Sequence, residues 1–238
     1  MLIFGGILAG GIGSRMSQTG LPKQFLSLGG VPILVRTVRR FCEFGRFDRI
    51  IVTMTESHME YARELLKKHG IGMGKIELVL GGASRFESLL CLCRAAAASA
   101  AGEEEVLMLT HDCARPFVSQ RILADNLAGM EEFDMVTTSV PTVDTVLISE
   151  DGRVGTRVPD RHTIFCDQGP QTLRVRHFLR LVGSLSEEEH AKYIAAGRLY
   201  MEKGFRVGIV PGDRMNFKMT TPLDMTVAEA LLRENPSL

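Results

Sequence analysis

Three glycines, an arginine and a lysine near the start of the chain could do chemistry together. In ILAGGIGSRM, from Ile7 to Met16, Gly10, Gly11 and Gly13 leave a backbone that a ligand can approach without meeting a Cβ, and Arg15 follows at once. Lys23, in LPKQFL, comes eight residues after Arg15. Two cations converging on one glycine loop suit a triphosphate, because negative charge builds on the bridging oxygens as a phosphoanhydride breaks. Two familiar phosphate loops do not fit. The dinucleotide fingerprint needs a small sixth residue, but Gly11-Ile12-Gly13-Ser14-Arg15 runs into Met16. A P-loop fails at Gly74-Lys75, because Ile76 follows the lysine and His69 stands where the first glycine belongs.

Three further stretches carry polar groups suited to a ligand. Gly81, Gly82, Ala83, Ser84 and Arg85, with Ser88 beyond, offer backbone groups and a hydroxyl to a base edge; a plain helix N-cap at Ser84 explains part of this equally well. Asp112, after His111, follows an apolar run, where an aspartate contacts a metal, a ribose or a substrate hydroxyl; the competing role is capping or a salt bridge with Arg115. In Asn216 to Pro222, Lys218 stands just before a helix start, which itself favours phosphate. Zinc and serine chemistry find no support. Cys91 and Cys93 lie two apart on one expected helix, the six histidines lack H-x-x-x-H spacing, and no G-x-S-x-G is present. Cys113, beside Asp112, is the one thiol placed to sit near a ligand, although it reads first as a small buried filler.

The elements that must position these residues alternate regularly. LIFGGIL is followed by VPILVRTVRRF, RIIVTM by SHMEYARELLKKH, KIELVL by the Ser84 to Ala100 segment, and EVLMLT by SQRILADNLAGM. Strand then helix, four times over, predicts an α/β domain with a mostly parallel sheet covered on both faces. Ligands in such sheets bind at the carboxyl ends of the strands, which selects the loops after LIFGGIL (Gly10 to Lys23), KIELVL (Gly81 to Arg85) and EVLMLT (His111 to Pro116). After MVTTSV the rhythm changes. Residues Asp144 to Arg157 read as a hairpin around Glu150-Asp151-Gly152 with no helix to cover it. Helical stretches from Arg174 to Lys203, the strand RVGIV and a helix beginning near Pro222 complete the order.

At 238 residues the chain suits one domain, 1–238, and no linker stands out. Its 28 basic and 28 acidic residues cancel, so no general attraction to nucleic acid or acidic membrane exists, and an anion must be held locally. Five cysteines without framework spacing, a start without a basic leader and the lack of a long apolar run predict a reducing cytoplasm.

LAGGIGSRM, LPKQFL, GGASRFES, HDCARPF, VDTV, PDR, QGPQ and NFKMTTPLD, in this order, resemble the cytidylyltransferases that act on polyol phosphates. That family includes the methylerythritol-phosphate enzyme of isoprenoid synthesis and the ribitol-5-phosphate enzyme of teichoic acid synthesis. The resemblance spans Ile7 to Ala230. It implies a three-layer α/β/α Rossmann-like nucleotidyltransferase domain with a projecting β-arm, about 141–165, that pairs two subunits. It implies a triphosphate loop at Leu8, Ala9, Gly10, Gly11 and Gly13, and catalytic cations at Arg15, Lys23 and Lys218. Gly81, Gly82, Ala83, Arg85 and Ser88 match the cytosine-reading segment. Asp112, Arg115 and Gly169 match positions around the polyol, and Thr145 and Arg161 match residues reaching its phosphate across the dimer. CTP is then a substrate, with Mg²⁺ carried mainly by its phosphates and Asp112 as a candidate to share it.

The chain departs from the family at three places: Gln168-Gly169-Pro170-Gln171 stands for the usual QTPQ, Ile194-Ala195 for a Thr-Asp or Ser-Asp pair, and Cys113 for alanine. The loop, LPKQFL and HDxxRPF are closer to the ribitol-phosphate branch, so the main expectation is transfer from CTP to D-ribitol 5-phosphate, giving a CDP-polyol and pyrophosphate. 2-C-methyl-D-erythritol 4-phosphate is the alternative acceptor. A sugar-1-phosphate nucleotidylyltransferase and an inactive nucleotide-binding homologue are more distant alternatives.

Overall fold

The computed structural model describes residues 1–11, 21–100 and 104–236. Gly13 and Arg15 lie outside the described residues. The sheet has seven strands: β1 (Leu2–Leu8), β4 (Arg49–Met54), β5 (Ile76–Leu80), β6 (Val106–Asp112), β7 (Met135–Pro141), β8 (Phe165–Arg174) and β9 (Val207–Pro211). Two short strands, β2 (Ser27–Leu28) and β3 (Val31–Pro32), pair separately. The order is β5-β4-β1-β6-β8-β7-β9, parallel except for β8, which runs antiparallel to β6 and β7.

Side chains alternate across the sheet as the period of two requires. On β4, Ile50 and Val52 join a core with α1 (Ile33–Phe44), α2 (Met59–Lys68), α4 (Gln120–Gly129) and α8 (Pro222–Glu234). Ile51 joins the opposite core with α3 (Arg85–Ser99), α5 (Val175–Gly183) and α7 (Ala196–Glu202); α6 (Glu187–Lys192) lies between the last two in sequence. These two cores make the expected three layers. Gly5 and Gly6 in β1 let both layers come close: a Cβ at Gly5 would press on Phe41 at 2.7 Å, and one at Gly6 on Met108 at 2.8 Å.

Two regions differ from the sequence reading. β8 went unread, because Gly169-Pro170 looks like a turn. The sheet tolerates it at an irregularity: pairing with β7 skips from Thr137–Gln171 to Ser139–Asp167, and Gly169 takes φ +65° there. The second is the arm. Between β7 and β8 the expected hairpin has a single antiparallel bridge, Ile148 with Arg157, and a tip in which Asp151 Oδ1 accepts from the backbone N–H groups of Arg153 and Val154. Leu147 and Val154 are 66% and 64% exposed. Too few backbone pairs form for a ladder.

Candidate active site

Parallel register puts Leu8 directly beside Asp112, so the chain leaving β1 and the turn after β6 start side by side. The loop after β5 comes to the same place. A Cβ on Gly10 would lie 3.8 Å from Gly81 Cα, so the two glycine stretches touch. Ala9 is held from both sides: its N–H donates to Thr53 Oγ1 at 3.2 Å, and its carbonyl accepts from Gln24 Nε2 at 2.9 Å. Gly11, by contrast, has no atom of the described residues within 4 Å of a would-be Cβ, so their packing does not call for glycine there.

The loop after β5 turns into α3 through a capping box, in which Ser84 Oγ accepts from Glu87 N–H and Glu87 Oε2 from Ser84 N–H. Gly82 is sterically required, because a Cβ would run into Glu87. Ser88 is buried, with its hydroxyl accepting from Gly82 N–H at 3.1 Å and donating to Gly82 O at 3.3 Å. The hydroxyl therefore shapes the loop it was expected to place against a base.

Between these loops lies a cavity of 260 Å³. Of the residues singled out in the sequence, it brings together Leu8, Ala9, Gly10, Gly11, Lys23, Gly82, Ala83, Arg85, Ser88, Asp112 and Lys218. Gly81 stands just behind the wall, against Thr53 and Ser88. Arg115, Thr145, Arg161 and Gly169 do not line the cavity. Gly169 is buried and Arg115 half-buried, and Thr145 and Arg161 are exposed on the arm. Sequence reasoning missed Gln24, whose signal was a polar residue between Lys23 and Phe25; Cys113 is buried in the core as expected and also lines the wall. Burial pushes the Cys113 thiol up to about 12, against the opposing pull of Lys23 and Thr37, so it stays protonated.

Asp112 is the electrostatic centre. Arg85 Nε donates to Oδ1 at 3.0 Å, and Lys218 Nζ to Oδ2 at 2.7 Å. Burial alone would raise its pKa; the two cations outweigh burial and hold the carboxyl well below the usual range. The partners are Arg85 and Lys218, where the sequence suggested Arg115. That residue instead closes the turn, its backbone N–H donating to Asp112 O at 3.0 Å. Lys23 reaches the same wall, with Nζ 3.4 Å from Met219 O.

The residues present do not fit a protein-held Mg²⁺. Asp112 already has a cation on each oxygen, and among the described residues no group of three or more His, Cys, Asp or Glu side chains gathers. Charge neutralisation by this chain therefore falls to its lysines and arginines. Lysine and arginine side chains and glycine backbone lining one cavity of about 260 Å³ can hold a polyphosphate and shift its charge.

Solved structures with the same architecture are numerous. The 2-C-methyl-D-erythritol 4-phosphate cytidylyltransferase of Thermus thermophilus is 26% identical over 98% of this chain and 100% of its own, with a TM-score of 0.75. The 4-diphosphocytidyl-2C-methyl-D-erythritol synthase of Anaerococcus prevotii is 24% identical over 98% of both chains, TM-score 0.80. The Francisella tularensis cytidylyltransferase is 23% identical over 97% and 99%, TM-score 0.77. The family model for 2-C-methyl-D-erythritol 4-phosphate cytidylyltransferase matches residues 4–234, and this near-complete match makes the chain a nucleotidyltransferase that uses CTP, a member of the 2-C-methyl-D-erythritol 4-phosphate cytidylyltransferase family.

Proposed function

We propose that the chain transfers the cytidylyl group of CTP to 2-C-methyl-D-erythritol 4-phosphate, a step of isoprenoid synthesis. The family match over residues 4–234 carries this choice of acceptor and moves the preference away from D-ribitol 5-phosphate. A phosphate oxygen of the acceptor attacks the α-phosphorus of CTP. The new P–O bond forms as the bond from the α-phosphorus to the bridging oxygen breaks, and pyrophosphate leaves with the electron pair. Lys23 and Lys218 stabilise the charge that develops, and Arg15 acts with them. Gly10, Gly11 and Gly82 cradle the nucleotide with backbone groups, and Arg85 and Asp112 fix the cations around it. No covalent enzyme intermediate is needed, because positioning and charge neutralisation supply the rate.

The arm completes this reading. Its exposed Leu147, Val154 and Val158 call for a cover, and a second copy is the commonest one. Thr145 and Arg161 on the arm then reach the partner's acceptor phosphate, and two copies share two sites.

Pyrophosphate release with CTP, against 2-C-methyl-D-erythritol 4-phosphate and D-ribitol 5-phosphate in parallel, tests the acceptor. Turnover is expected with the first and not the second, and with CTP far above ATP or GTP. Faster turnover with D-ribitol 5-phosphate would overturn the choice of acceptor, and turnover with neither would overturn cytidylyl transfer to a polyol phosphate.

A further inference from the structure

Lys218 sits between two pinned residues. On one side, Met219 N–H donates to Ala114 O at 2.9 Å. On the other, Asn216 is fully buried and bonded three ways. Its N–H donates to Asp213 O at 3.0 Å, its Nδ2 donates to Gly169 O at 2.8 Å, and its carbonyl accepts from Arg115 Nη1 at 2.7 Å. Arg115 is braced in turn by His111. A carbonyl can only accept, so the 2.9 Å contact between His111 Nε2 and Arg115 O makes Nε2 the protonated nitrogen. The Asp112 to Arg115 turn, the Gly169 bend of β8 and the loop before α8 are thus bolted together at one residue.

A lysine on four rotatable bonds holds a 2.7 Å contact reproducibly only if its Cα is fixed. Asn216 and Met219 fix it. We propose that Asn216, braced through Arg115 by His111, is a positioning residue that sets Lys218 over Asp112 for the transfer reaction. The inference rests on the cytidylyl-transfer reading above. Asn216, Arg115 and His111 themselves do not line the cavity, so their effect on turnover passes through the residues they hold, above all Lys218.

A double-mutant cycle tests this. Wild-type turnover with CTP and the acceptor is measured first; an inactive wild type would overturn the transfer reading and this inference together. With an active wild type, Asn216→Ala should lower kcat by about 10²-fold, the scale of a displaced catalytic group, and leave KM for CTP within about threefold. In a Lys218→Ala background the same substitution should cost less than about threefold more, because the group it positions is gone. A full further loss in that background, or an unchanged kcat in Asn216→Ala alone, would overturn the proposal. If Asn216→Ala does not fold, His111→Leu carries the same cycle. There His111→Gln, whose amide can still donate to Arg115 O, should restore kcat, and failure to restore it would also count against the proposal.

Discussion

The turn after β6 and the arm between β7 and β8 are built on opposite terms. Asp112 is paired with Arg85 and Lys218, and the backbone of its turn is tied to β1 by Cys113 N–H to Leu8 O and to the loop before α8 by Met219 N–H to Ala114 O. The arm, 142–164, has one bridge and a tip closed on Asp151, and is joined to the sheet at its base by Thr142 N–H to Ile164 O. The first region is finished by its own chain. The second presents apolar side chains that its own chain leaves exposed. The contrast teaches that one chain can satisfy a buried carboxylate with its own cations and still leave an apolar arm uncovered.

The strongest way to break the contrast is at Lys218. If the cavity end is preorganised, Lys218→Ala should lower kcat by about 10²–10³-fold, the loss of one preorganised charge contact, while Tm moves by only a few degrees. Its side chain is 37% exposed, so little packing is lost. A near-normal kcat would remove Lys218 from the chemistry. Lys23→Ala should behave alike.

The arm is tested by complementation. Arg161→Ala and Lys23→Ala homodimers should each be nearly inactive. In the heterodimer one site carries both lesions and the other neither, so about half of its sites should work by two-fold symmetry. Verified heterodimers without activity would mean that Arg161 does not act in trans, and a monomer by sedimentation would leave the arm's apolar face without the proposed cover.

How far each region was legible in the sequence follows the same division. The alternation of apolar runs gave away β1, β4, β5 and β6 with their helices, because β1, β4 and β6 are buried in the middle of the sheet and the edge strand β5 is still a continuous apolar run apart from Glu77. Ser84 was readable as an N-cap from its type and place. β8 was not, since Gly169-Pro170 imitates a turn and only the bulge against Thr137 and Ser139 makes room for it. Asp112 was readable as a site residue, but its partners were not. Arg115 is three residues away and looked the natural mate; the actual mates, Arg85 and Lys218, come from distant segments that only the fold brings together.

A third test probes how tightly the cavity end is built. His111 is fully buried against Phe41, with Arg115 O on Nε2 and the charges of Asp112 and Arg85 nearby. Burial lowers its pKa from the usual 6.5 to about 4, only partly offset by the Arg115 carbonyl and Asp112. Between about pH 4 and 6.5 the unfolded chain binds the extra proton and the folded chain does not, so stability rises with pH across that window and is complete above it. The contribution is on the order of 3 kcal/mol. His111→Gln should flatten this acid limb in urea melts from pH 7 to 4. An unchanged slope would show that the imidazole does not carry it.

The smallest expected effect falls at a place that shares features of both regions. The body of α7 is buried, with Leu199 and Tyr200 in the core, but Ala195 at its N-cap makes no side-chain capping bond. Its φ −137° and ψ 144° are those of a capping residue, so the backbone is already in place for an oxygen that alanine lacks. The first N–H groups of a helix have no partner within it, and a serine Oγ at 195 could accept from Arg198 N–H. Ala195→Ser should therefore stabilise the fold by about 1 kcal/mol, a rise in Tm of about 2–4 °C for a chain of this size. Because no residue of α7 lines the cavity that holds Lys23, Asp112 and Lys218, kcat should stay within about twofold, as expected for independent sites. A lowered Tm would mean that the helix start is held by something other than its cap. A raised Tm with a lost kcat would tie α7 to the cavity, and the division between a finished end and a dependent arm would have to be redrawn to include it.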